Sequence, residues 1–224
     1  MRDNMSAFNS FEYDSKISSA LPYYEEFHSQ VMDMVRAMNF KKINWLDTGC
    51  GTGKTARKAL AELSGMEITF TLCDISGEML KIARGMLGDN GITYRNISSQ
   101  ELDYREQFDI VTAIQCHYYL PRAERETAVK NCFQALKENG IFITFENIRL
   151  ENDNADLIAV RRWQNYMLSK GRKQQEIQSH IERCGTEILP ITITEHFDLL
   201  KKSGFRWAEP LWFSYVQAVF FAIK

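Results

Sequence analysis

The run Leu46–Gly53, LDTGCGTG, holds most of the readable chemistry in this chain of 224 residues. Glycines stand at positions 49, 51 and 53, just behind Asp47. Each glycine costs backbone entropy on folding, so three in alternation signal a main chain that must turn sharply or approach a ligand closely. A second carboxylate, Asp74, follows about 20 residues later, where doubly wound folds place the acid that accepts hydrogen bonds from a ribose. A third candidate, His117, has the side chain whose ordinary pKa suits proton removal near neutrality.

Two phosphate-binding readings of the loop compete. A P-loop requires a glycine at position 48 ahead of Gly53-Lys54-Thr55, and that position is Thr48, so the reading fails. A dinucleotide loop started at Gly49 requires a glycine at 54, which is Lys54. Started at Gly51 it survives as G-x-G-x-x-A with Ala56, leaving a nicotinamide oxidoreductase as an alternative. Asp47 argues against that reading, because a carboxylate repels a pyrophosphate and attracts an ammonium group.

The elements that must position these residues alternate. A helix is expected over "LPYYEEFHSQVMDMVRAM", with Phe27, Val31, Met34, Val35 and Met38 at helical spacing. Strands are expected at "KINWLDTGC", "EITFTLCDIS", "ITYRNIS", "FDIVTAIQC" and "IFITFEN", with helices between. Ser76 and Thr194 are expected N-caps, and "ENG" is expected to end a helix through its glycine. "AEPLWFSYVQAVFFAIK" reads as a closing hairpin. The pattern implies an α/β fold: a doubly wound, mostly parallel seven-stranded sheet with a C-terminal antiparallel hairpin and a helical insertion. One domain over residues 1–224 is expected, with an N-terminal helical cap over 1–40 and an insertion or lid over 150–190.

Four segments in order, "WLDTGCGTG", "CDISGEMLKIAR", "ISSQEL" and "FDIVTAIQCHYYL", resemble the successive motifs of class I S-adenosylmethionine-dependent methyltransferases. The resemblance covers roughly residues 40–148, and the last 26 residues resemble that family's terminal helix and hairpin. It implies S-adenosylmethionine as cofactor and no metal. It also implies roles for residues. Asp47, Gly49, Cys50 and Gly51 would hold the methionine part, and Asp74 the ribose. Ile75 and Met79 would flank adenine, with Ser99 and Gln100 at its edge. Ser98 stands where the family often has an aspartate, so Gln100 or the backbone would bond adenine. Ile114 and Gln115 would lie beside the methyl donor. Tyr23 or Tyr24 would close the methionine side, Tyr118 and Tyr119 would wall the acceptor pocket, and His117 could act as a base. A narrower likeness, in "ALPYYEEF" and "LWFSYVQAVFFAIK", is to enzymes that make carboxy-S-adenosylmethionine for wobble-uridine modification. It implies an arginine in the insertion for the extra carboxylate, with Arg183 the nearest candidate. The GCGTG loop departs from that group's variant, so the leading reading is methyl transfer to a small molecule. A non-enzymatic module that binds the same cofactor is a further alternative.

Composition limits the rest. A net charge of −2 gives no global case for nucleic acid. Locally, Arg161, Arg162, Lys170, Arg172, Lys173 and Arg183 interleave with Trp163 and Tyr166. That pattern reads as a solvated lid, with an anionic acceptor or RNA as alternatives. Five cysteines without a C-x-x-C pair argue against a disulfide framework or zinc knuckle and fit a reducing cytosol. With no signal peptide or membrane span in the sequence, a cytoplasmic protein without membrane contact is expected.

Overall fold

The structure, a computed structural model, describes residues 4–224. Its centre is a seven-stranded sheet in the order β3-β2-β1-β4-β5-β7-β6. The strands are β1 (Lys42–Thr48), β2 (Glu67–Cys73), β3 (Ile92–Arg95), β4 (Phe108–Ile114), β5 (Leu136–Asn147), β6 (Trp207–Ser214) and β7 (Gln217–Ile223). The first five are parallel, and β7 runs antiparallel between β5 and β6, so the C-terminal hairpin closes one edge. The order reverses between β1 and β4. In an open sheet that reversal opens a crevice at the strands' carboxyl ends.

Helices cover both faces: α1 (Tyr13–Ala20), α2 (Tyr24–Ala37), α3 (Lys54–Glu62), α4 (Gly77–Leu87), α5 (Arg122–Ala135), α6 (Asp153–Ser169), α7 (Gln174–Ile181) and α8 (Ile193–Ser203). Side chains alternate along a strand, so β1 sends Trp45 into one core and Leu46 into the other, both fully buried. The first core takes Phe27 of α2 and Trp163 of α6; the second takes Leu199 and Leu200 of α8. Among the described residues no helix is long and apolar enough to cross a membrane.

Local expectations were corrected in two places. The cap of α8 is Thr192, not Thr194: its hydroxyl accepts from the Glu195 amide and the Glu195 carboxylate accepts from the Thr192 amide, a reciprocal box that Thr194 cannot form from inside the helix. Helix α5 ends at Ala135, five residues before Gly140, and the chain passes directly into β5. Gly140 serves packing instead, since a Cβ there would meet the Lys137 carbonyl at 2.8 Å. Ser76 does cap α4, accepting from the Met79 amide at 3.2 Å.

Candidate functional site

The three loop glycines serve two purposes: Gly49 and Gly53 sit tight against their own fold, and Gly49 and Gly51 line a cavity. All have left-handed φ angles, +68°, +54° and +76° for Gly49, Gly51 and Gly53, where a side chain is strained. At Gly49 a Cβ would meet the Cys116 side chain at 2.5 Å, and at Gly53 it would meet Leu87 of α4 at 2.8 Å. Those two let the loop pack against its own fold. Nothing lies within 4 Å of a Cβ at Gly51. Bare backbone there faces open space, and Gly51 lines a cavity of about 340 Å³, within the size range of small-molecule sites.

Asp74 stands at the end of β2 and lines the same cavity. Its Oδ2 accepts from the Gly51 amide and its Oδ1 from the Ser76 amide, each at 2.8 Å. Burial raises its pKa while these two amides oppose the shift. Each carboxylate oxygen has two lone pairs, so the carboxylate is held in place with acceptor capacity left for hydroxyl groups of a ligand. Ile75, at 55% exposed, and buried Met79 follow it in the wall.

The opposite wall comes from the ends of β4 and β5. Ile114, Gln115, His117, Tyr118 and Asn147 all line the cavity, as do Ser99 and Gln100. The Gln100 amide donates to Glu124 at 2.9 Å. The Ser99 hydroxyl sits 2.8 Å from that of Thr48 and 3.0 Å from His117 Nε2. His117 is buried, and burial, aided by the Arg125 charge, lowers its pKa to about 3. A group with so weak a hold on a proton is a poor base near neutrality. The structure places His117 in the cavity wall with its Nε2 against the Ser99 hydroxyl.

Five expected residues do not reach the cavity wall, Tyr24 among them because it is buried in the core. Asp47 is buried; its Oδ1 accepts from Thr112 Oγ1 at 2.7 Å, its Oδ2 has no partner, and burial raises its pKa to about 7. The odd-numbered side of β1, shared with Ile43 and Trp45, carries it into the sheet beside Thr112 of β4. Cys50 turns its side chain into the core, where burial raises the thiol pKa. Tyr23 has a left-handed φ of 56° and is 48% exposed, its ring tilted against Trp212 with centroids 5.7 Å apart. The turn after α1 points it outward, and α1 itself supplies the wall through Tyr13 and Ile17. Arg183 lies one layer back, its Nε on Glu187 at 2.9 Å and its Nη2 on the Met5 carbonyl at 2.5 Å.

The sequence reading named none of the residues of the roof. Residues 4–8 line the cavity, joined by His180 of α7. No local pattern marks these segments, because they reach the site only through tertiary packing. Asn147 was findable: it ends β5, and in such sheets the strands' carboxyl ends border the crevice. No cluster of metal-ligating side chains is present among the described residues.

A family model described as a methyltransferase domain matches residues 46–140, from the glycine loop into β5. A carboxy-S-adenosyl-L-methionine synthase from Nautilia profundicola is 26% identical over 227 residues, covering 96% of this chain and 94% of the relative. One from Wolinella succinogenes is 27% identical over 216 residues, covering 95% and 89%. Among solved structures, a protein of Bordetella parapertussis is similar with a TM-score of 0.69 and 18% identity, covering 93% of this chain and 71% of that one. Human N-acetylserotonin methyltransferase in complex with S-adenosylmethionine is similar with a TM-score of 0.62 and 17% identity, covering 88% and 51%.

Proposed function

We propose that the chain is a class I S-adenosylmethionine-dependent methyltransferase, as the methyltransferase-domain match over residues 46–140 supports, and that it transfers a methyl group to a small-molecule acceptor. The observation that carries the proposal is the roofed cavity. Its wall includes Gly51 and Asp74 at one end and Gln115, Tyr118 and His180 at the other. A donor and a compact acceptor can share that space; a folded polymer cannot enter it.

The residues present fit S-adenosylmethionine. Gly51 offers bare backbone, Asp74 offers anchored lone pairs, and Met79 offers an apolar face. When bound, S-adenosylmethionine supplies an electrophilic methyl group. The chain's own contribution is placement: Asp74 holds hydroxyl groups, the roof of residues 4–8 excludes water, and the ends of β4 and β5 orient the acceptor. Bringing two reactants into line in this way removes a large share of a bimolecular barrier.

A second reading is synthesis of a carboxylated form of the donor. It is supported by the near full-length likeness to carboxy-S-adenosyl-L-methionine synthases and by Arg183, whose Nη1 is buried without a partner. An RNA acceptor draws less support, because Arg172 and Arg183 turn inward, onto Phe8 and Tyr119. All five cysteines are free, which supports placing the protein in a reducing, cytoplasmic compartment.

The test is incubation of purified protein with methyl-labelled S-adenosylmethionine and a fractionated metabolite pool, read by mass spectrometry. Label in a small molecule, together with S-adenosylhomocysteine, is expected. A donor that gains a carboxyl group would move the assignment to the second reading. Binding with no turnover would leave a non-enzymatic module. Thermal stabilisation by a nicotinamide cofactor alone would overturn both enzymatic readings.

A further inference from the structure

Gln115 stands out among the cavity residues. It follows the last residue of β4, only 7% exposed, with a left-handed φ of +58°. A non-glycine residue held there stores strain, and such strain gathers at functional sites. Its Oε1 accepts from the Tyr118 hydroxyl at 2.9 Å, while its Nε2 is buried without any partner. An unsatisfied buried donor is costly, and in a cavity wall that cost is relieved by a ligand.

The amide's orientation is fixed by its neighbours. The hydroxyls of Tyr118 and Tyr119 are 3.2 Å apart, and the Arg183 guanidinium lies over the Tyr119 ring at 5.8 Å, where it favours ionisation of the Tyr119 hydroxyl against burial. The Tyr118 hydroxyl has Gln115 Oε1 at 2.9 Å and the Tyr119 oxygen at 3.2 Å. A hydroxyl can donate only to the oxygen end of an amide, so the nearer contact sets the Gln115 oxygen toward Tyr118 and its NH₂ group on the other side. Asn147, also in the wall, has its Oδ1 occupied by Gln217 Nε2 at 3.3 Å, so its NH₂ is likewise the free end. The lining carboxylates, Asp74 and Glu124, belong to other parts of the wall: Asp74 is tied to Gly51, and Glu124 to Gln100.

We propose that Gln115 is a specificity-determining residue whose NH₂ group, with the amide oxygen held by the Tyr118 hydroxyl, binds a carboxylate oxygen of the acceptor. The inference rests on the small-molecule reading above and names its substrate class. Donors without a facing acid select an anionic oxygen and disfavour an ammonium group.

Benzoate and benzyl alcohol serve as probes, matched in shape and different in charge. Calorimetry first establishes whether S-adenosylhomocysteine binds; failure there counts against the methyltransferase reading, and the probes are then titrated into unliganded protein. Benzoate is expected to bind about tenfold or more tightly than benzyl alcohol, as a charge-assisted hydrogen bond implies. Gln115→Glu should abolish benzoate binding, and Gln115→Met, which keeps length without donors, should weaken it about tenfold. Both variants should keep S-adenosylhomocysteine affinity and a cooperative melt. Tyr118→Phe, which frees the amide to turn over, should shrink the preference for benzoate over benzyl alcohol. Undetectable benzoate binding, equal affinity for the two probes, or unchanged benzoate affinity in Gln115→Glu would overturn the proposal. Should Gln115→Glu not fold, Gln115→Met decides alone.

Discussion

At the scale of single residues, the loop separates two things that glycine does. Gly49→Ala forces a Cβ into Cys116, so it should destabilise the fold by about 2 kcal/mol or more, the cost of overpacking plus a strained φ. Cys116→Gly in the same chain should recover part of that loss. Gly51→Ala meets nothing and should cost only the strain of its φ, about 1 kcal/mol. Yet it should weaken S-adenosylhomocysteine binding more than Gly49→Ala does, per unit of folded protein. Urea melts and calorimetry on the three variants check this; equal effects on binding would undo the distinction. Asp74→Ala removes an acceptor for two backbone amides and for ligand hydroxyls together. Each charge-assisted bond contributes roughly 1.5–3 kcal/mol, so affinity should fall at least tenfold, and calorimetric affinity equal to that of the unaltered protein would remove Asp74 from the site. The presence of glycines was readable from LDTGCGTG. Which glycine faces the ligand was not, because the neighbours that exclude a Cβ at 49 and 53 come from residues 116 and 87.

At the scale of elements, the roof is an assembly of cap and insertion. Trp163 of α6 donates to the Ala20 carbonyl at 2.6 Å, and Tyr166 donates to Ser18 at 2.7 Å, tying α6 to the end of α1. Asp14 of α1 in turn pairs with Arg57 of α3 at 2.6 Å and accepts from Thr52 of the glycine loop at 2.7 Å. Trp163→Phe keeps most of the packing and removes one buried bond, so it should cost about 1–3 kcal/mol by leaving the Ala20 carbonyl unsatisfied. Hydrogen exchange should rise over residues 13–20 and stay unchanged in β1; protection unaltered in α1 would show that α6 does not hold the cap. The strand-and-helix alternation, the hairpin and the insertion were legible because each is a local period. The roof was not, since α1 carries only an ordinary amphipathic pattern and its contacts lie about 150 residues away. For the same reason Tyr23, chosen for its type and place, proved to sit on the outer side of the turn. Thr194 was chosen as a cap by its type, and only the pairing with Glu195 shows that Thr192 caps the helix instead.

At the scale of the whole molecule, burial of ionisable groups sets how stability depends on pH. All four histidines, His28, His117, His180 and His196, are buried, and burial lowers each to about 3. Below the unfolded value near 6.5, the unfolded chain takes up protons that the folded chain refuses, so stability falls as the pH drops from 7 toward 3. Asp47 and Glu146 act with the opposite sign: burial raises each to about 7. From about pH 4 to 7 the folded chain keeps two protons that the unfolded chain releases, so these two groups subtract stability as the pH rises. Near pH 5 four imidazoles outweigh two carboxyls, and the net uptake on unfolding from these six groups is about two protons. Urea denaturation should therefore show stability climbing from pH 5 to a plateau near pH 7. Asp47→Asn removes one opposing proton, so the same climb should become steeper. The variant's gain over the parent should grow from near zero at pH 4 to at most about 4 kcal/mol at pH 7.5, the equivalent of roughly three pKa units. A constant offset between the two proteins across that range would mean that Asp47 is ionised in the fold, and that the missing partner of its Oδ2 is supplied by something that carries positive charge into the core.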